Sequence, residues 1–175
     1  MRLVAALVLV AAFPYEASAA PPEKLYYAGE VKLSAGDGKS MGSQVILLEK
    51  THDRDKMTIT ERAIVVQSDG KAEEHTMVLT VKDDNTFSLA DTAKTTEGTG
   101  TLFGPAWKWT YFKGTFKHKN GAVIEDENFM SDDSAITARK KVSGPDGRVI
   151  LYMDICLKSV TPKTFEILAA GLLKK

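Results

Sequence analysis

Along most of the chain, apolar and polar residues alternate in short runs, each ended by a turn signal within about ten residues. Leu25–Leu33 places Tyr27, Val31 and Leu33 on one face and Glu30 and Lys32 on the other. His75–Lys82 alternates as cleanly, with Met77, Leu79 and Val81 on one side. Period two is the signature of a half-buried strand. Gln44–Thr51 is a denser apolar run, and Met57–Gln67 is rich in Thr, Ile and Val. Thr86–Ala90, Trp107–Lys117, Ala122–Met130, Ile136–Val142 and Val149–Lys158 continue the series. Asp37-Gly38, Asp69-Gly70, Asn120-Gly121 and Gly144-Pro145-Asp146-Gly147 punctuate it.

Short connections make sequence neighbours pair in space. An antiparallel up-and-down meander of about ten strands follows, and a meander of that length closes into a barrel to remove its edges. A sandwich is the second choice. At the C-terminus the period changes. Thr161 can cap a helix, Pro162 suits its first turn, and Phe165, Leu168, Ala169 and Leu172 share one helical face. One short C-terminal helix is predicted there, with Lys174 and Lys175 at its favourable end.

The first residues read differently. Arg2 precedes the apolar run Leu3–Phe13, Pro14 breaks it, and Ala17-Ser18-Ala19 offers small residues for signal peptidase. The expectation is a cleaved signal peptide over 1–19 and a single barrel domain over 20–175. An exported protein, periplasmic or secreted, follows. The apolar run is too short for a bilayer-spanning helix of ~20 residues, so no integral membrane span is expected. Charges such as Arg62, Glu73, Lys82, Arg139 and Lys158 interrupt any lipid-facing band, which argues against an outer-membrane barrel.

Composition adds exclusions. Lys+Arg and Asp+Glu are 23 each, so no basic excess favours nucleic acid. One cysteine allows no internal disulfide, and the apolar run around Cys156 predicts a buried structural thiol. His52, His75 and His118 show no metal-ligand spacing, and the acidic run Glu125–Asp133 lacks the form of a calcium loop. No metal, cofactor or catalytic residue is assigned.

The candidate binding residues are Trp107, Trp109, Tyr111, Asp126 and Arg139. On a strand, Trp107, Trp109 and Tyr111 would face one way, lining a cavity or filling the barrel. A two-residue turn at Asn120-Gly121 would oppose Tyr111 to Met130 and bring Asp126, Asn128 and Lys113 onto the tryptophan face. A bulge near Lys113-Gly114 would bring Glu125, Glu127 and Phe129 there instead. Arg139 reads as solvated on alternation, and as a headgroup ligand if it turns inward to Asp126 or Glu125.

The meander, the Trp107-x-Trp109 strand, the stretch from Asn120 through Asp132-Asp133 to Arg139, and the terminal helix resemble the small bacterial lipocalin-like (calycin) proteins. The resemblance spans the chain after the leader. It implies a barrel with an internal cavity for an apolar or amphipathic small molecule, and carries no catalytic residue across. The expected function is an exported soluble binding protein. The alternatives are a cell-envelope interaction protein with an exposed aromatic patch, and an enzyme using a carboxylate at the barrel mouth.

Overall fold

The computed structural model describes residues 23–67, 69–82, 85–104, 107–131 and 134–173. The expected signal peptide and the terminal lysines lie outside them. The described residues form a closed antiparallel barrel of ten strands and one C-terminal helix. The strands are β1 (Glu23–Ala35), β2 (Ser40–Asp53), β3 (Thr58–Val66), β4 (Ala72–Val81), β5 (Thr86–Asp91), β6 (Thr96–Phe103), β7 (Tyr111–His118), β8 (Val123–Ser131), β9 (Ala135–Ser143) and β10 (Val149–Ser159). Each pairs with the next, and β1 pairs with β10, so no edge is left open.

Alternation sets the interior as expected for β1 and β4: Tyr27, Val31, Leu79 and Val81 are buried inside. Two apolar clusters fill the barrel. One gathers Ile59, Leu79, Val81, Phe87, Leu89, Leu102, Trp109 and Phe116. The other gathers Tyr27, Val31, Ile46, Leu48, Ala63, Ile136 and Leu157. Glycine shapes the first: a Cβ on Gly114 would lie 2.6 Å from the Phe116 ring, so the ring occupies the space a side chain would need.

The dense run in β2 has a second cause. Helix α1 (Pro162–Leu172) lies outside the barrel, with Phe165 and Ala169 on Leu47 and Ile64, so β2 is buried on both faces. Thr161 caps α1 by accepting from the Thr164 amide at 3.1 Å. Leu168 points to solvent at 40% exposure, and Tyr26 and Ala28 of β1 complete the contact that it was expected to make.

Two more expectations fail here. Cys156 is exposed, because Ile155 and Leu157 supply the inward contacts of β10 around it. The hairpin at Asn120-Gly121 is also longer than a two-residue turn. The Gly121 amide donates to the His118 carbonyl and the His118 amide to the Ala122 carbonyl, both at 2.8 Å. Gly121 alone has positive φ, at 89°. This is a type I turn closed by a left-handed glycine, and it moves the register by one residue. Tyr111 therefore opposes Phe129, and Gly114 opposes Asp126.

Candidate functional site

The corrected register decides which side chains enter the barrel. Phe112, Gly114 and Phe116 of β7 meet Asn128, Asp126 and Ile124 of β8 on the inner face. Tyr111, Lys113 and Thr115 meet Phe129, Glu127 and Glu125 on the outer face, where Lys113 pairs with Glu127 at 3.0 Å and Lys141 pairs with Glu125.

Asp126 is thus inside, at 3% exposure. Its partner is Lys140 of β9, with Nζ 2.9 Å from Oδ2, and the Asn128 amide donates to Oδ1 at 2.8 Å. Arg139 is one position away and points outward. It lies 3.5 Å from Asp154 and stacks over the Tyr152 ring at 5.6 Å, so it takes no part in the interior.

Across the barrel, Lys50 of β2 pairs with Glu61 of β3 at 2.9 Å and reaches the Met130 sulfur of β8 at 3.6 Å. The two ion pairs form one charge bridge from the β2–β3 wall to the β8–β9 wall. It is formally neutral, with two ammonium groups and two carboxylates. Burial lifts the Asp126 carboxyl above the ordinary carboxylate range, with Glu61 adding to the effect against Lys140 and Asn128. Burial alone would also lift Glu61, but Lys50, Lys140 and His52 together hold it below. Burial would depress Lys140, but Asp126 and Glu61 outweigh it and raise the ammonium above the ordinary lysine value.

A cavity of about 60 Å³ abuts this bridge. Glu61, Asp126, Asn128 and Lys140 give its polar wall, and Ile46, Leu48 and Leu157 are among its apolar residues. That volume holds a few waters or a polar head group, far below the ~300–1,000 Å³ of drug-sized sites.

One barrel mouth is closed by aromatic side chains. The tryptophans are not on a strand, because β7 begins only at Tyr111. They sit in the β6–β7 loop, where Gly104 and Trp107 both adopt positive φ, 116° and 62°. Trp109 is 4% exposed, joins the inner cluster, and donates its indole N–H to Asn85 Oδ1 at 3.3 Å. Trp107 packs against it at 5.0 Å, with His52 at 6.1 Å and the Arg54 guanidinium over its ring at 6.0 Å. Met57 and Asn85, in the two neighbouring loops of this mouth, also have positive φ, at 52° and 60°. Backbone strain of this kind gathers at sites that move or bind.

Tyr111 departs from the tryptophans altogether. With Phe103 and Phe129 it forms an outer aromatic row, with ring centroids 5.2 and 4.7 Å apart. Of the five candidates, Trp109 and Asp126 both lie inside the barrel but at different levels, Trp107 covers the mouth, and Tyr111 and Arg139 lie outside. Asn128 joins Asp126 on one face as the two-residue turn would also have it, whereas Lys50, Glu61 and Lys140 are inward residues outside the predicted set. The signal was alternation: Ile46, Leu48 and Lys50 share a face, as do Ile59, Glu61 and Ala63, and Ile136, Ala138 and Lys140.

Among the described residues, no group of three or more His, Cys, Asp or Glu side chains is placed to hold a metal ion. No helix among them is long and apolar enough to cross a membrane. No protein-family model matches the chain, and the search of curated proteins found no match.

Proposed function

We propose that the protein binds an amphipathic small molecule inside its barrel, with the polar end at the Lys50–Glu61–Asp126–Lys140 bridge and the apolar part toward the Trp107–Trp109 mouth. The observation that carries this reading is the charge bridge beside a cavity in a largely apolar interior. Two buried charges, Lys50 and Asp126, and their half-buried partners Glu61 and Lys140 contribute little net stability compared with well-packed apolar residues. Perturbed carboxyls beside a cavity are typical of functional sites. The resemblance to lipocalin-like proteins supports the same reading, as does the leader-like sequence for export to the periplasm or beyond.

The cavity accommodates the head group alone. A tail requires Trp109 and its loop to swing out, and the positive-φ residues around the mouth favour such movement. Asp126 lies five residues along β8 from the mouth end at Ser131, about 17 Å of strand. Emission titrations with octan-1-ol, dodecanoate and retinol test this directly. A saturable change in tryptophan emission is expected with at least one of them, retained in Trp107→Phe, where Trp109 is the only reporter. Unchanged emission with all three contradicts it.

A second reading rests on the outer row of Phe103, Tyr111 and Phe129, in which Phe103 and Phe129 are 46% and 55% exposed. Contiguous exposed aromatics mark contact surfaces, which favours an envelope interaction role. Phe103→Ser with Phe129→Ser should abolish partner capture without altering emission titrations.

A further inference from the structure

Resting on that reading of the interior, we propose that an anionic ligand head replaces Asp126 as the counter-ion of Lys140, and that Asp126 takes up one proton when it does so. Ligand binding and proton uptake are then a single linked event in the barrel.

The geometry supplies each part. Asp126 and Lys140 are in direct contact at 2.9 Å, and both border the 60 Å³ cavity. A head group in that cavity therefore meets the ammonium and its carboxylate together. With all four charges in place the bridge is neutral, so an added anion would be a buried charge without a counter-ion, which is strongly unfavourable. Protonating one carboxylate leaves the bridge with one net positive charge and removes the mismatch.

The surroundings select Asp126 for the proton. From β9 it faces Lys140, and from β3 the carboxylate of Glu61. β7 presents only Gly114 opposite it, and its own strand contributes the Asn128 amide. Glu61, by contrast, has its own ammonium in Lys50 of β2, with Lys140 and His52 also favouring its charge. Asp126 is the more deeply buried carboxylate and the one displaced from its partner by the ligand. The proton comes from solvent, and Asn128 can turn its amide oxygen toward the new O–H.

Octane-1-sulfonate and octan-1-ol separate the possibilities, because they share a tail and the sulfonate stays charged across the range. Calorimetric titration of the full chain from about pH 8 to about pH 6 should show sulfonate affinity rising by close to tenfold per pH unit. Octan-1-ol affinity should stay level. Repeating the sulfonate titration in buffers of different ionisation enthalpy should count close to one proton taken up per ligand. Asp126→Asn should remove the slope and hold affinity at the low-pH level. Asp126→Ser, which has no titratable proton, should do the same if the amide variant fails to fold.

A sulfonate affinity independent of pH, or no proton uptake, overturns the inference while octan-1-ol binding leaves the interior-site reading standing. A slope that survives in both Asp126 variants also overturns it. Failure of both probes to bind at any pH overturns the inference and the binding reading together.

Discussion

Replacing Lys140 by Met isolates the charge bridge in one step. The substitution keeps most of the side-chain volume and removes the ammonium that lies 2.9 Å from Asp126. Asp126 is 3% exposed, and only the Asn128 amide at 2.8 Å would remain to hold its charge. Breaking a buried pair from one side costs about 3–5 kcal/mol, because the remaining charge is uncompensated. An exposed pair such as Lys113–Glu127 would lose about 0–1 kcal/mol in the same experiment. The carboxyl can escape by binding a proton, and its value is already raised by burial in the native protein. The penalty should therefore be larger at about pH 7 than at about pH 5, because acid favours the neutral form of Asp126. Urea unfolding at both pH values, read from midpoints at unchanged slope, measures it. Adding Asp126→Leu should restore most of the loss, since an apolar pair of similar size avoids the desolvation penalty. A loss below about 1 kcal/mol at about pH 7, or one that does not change with pH, would refute the buried-bridge reasoning.

Other consequences follow at separate places in the fold. Native Lys140 is raised, so its stabilisation is complete below the ordinary lysine value of 10.5 and fades as pH climbs through the folded value; the wild-type minus Lys140→Met stability difference should fall there. Glu61 is lowered, so its contribution exists above the ordinary 4.5 and is lost as pH falls through its folded value, while Asp126 acts in the opposite sense; Glu61→Gln should flatten the acid limb of the unfolding curve. Trp109→Ala should cost about 3–5 kcal/mol in denaturant unfolding and remove the blue-shifted part of the emission, because Trp109 is buried and Trp107 is half-exposed. Gly121→Ala should cost about 1–2 kcal/mol, since φ of 89° is unfavourable for any residue with a Cβ.

The barrel was legible because its rules are local. Each strand announces its inner face by alternation, and short turns force neighbours to pair, so the meander follows directly, and its strand number favours closure of β1 on β10 over a sandwich. Where local rules allow two answers, the fold takes the one that tertiary packing favours. Asn-Gly serves a two-residue turn with both residues left-handed, and equally the end of a three-residue loop with only glycine left-handed. That single residue changed the partners across the hairpin, so that Asp126 shares a face with Gly114 and Phe112 and not with Lys113 and Tyr111. Trp107-x-Trp109 alternates like a strand, but Gly104-Pro105 just before it is a loop signal that outweighs two aromatics. The inward lysines were hidden by neighbours. Lys50 follows Glu49 and Lys140 precedes Lys141, and in each adjacent pair one side chain faces the barrel and one faces water. A pair of consecutive charges reads as a solvated face unless strand parity is followed residue by residue. Asp126 was identified for its position, but its partner was sought at Arg139, one residue from the true one.

A ligand held in the barrel interior should stay with the protein through gentle purification. Native mass spectrometry on the protein purified from its own host, under conditions that preserve bound lipids, tests it most directly. A bound species of a few hundred daltons is expected, and it should be lost in Asp126→Leu with Lys140→Met. A chain carrying no bound mass, whose tryptophan emission is the same before and after extraction with organic solvent and refolding, would contradict it.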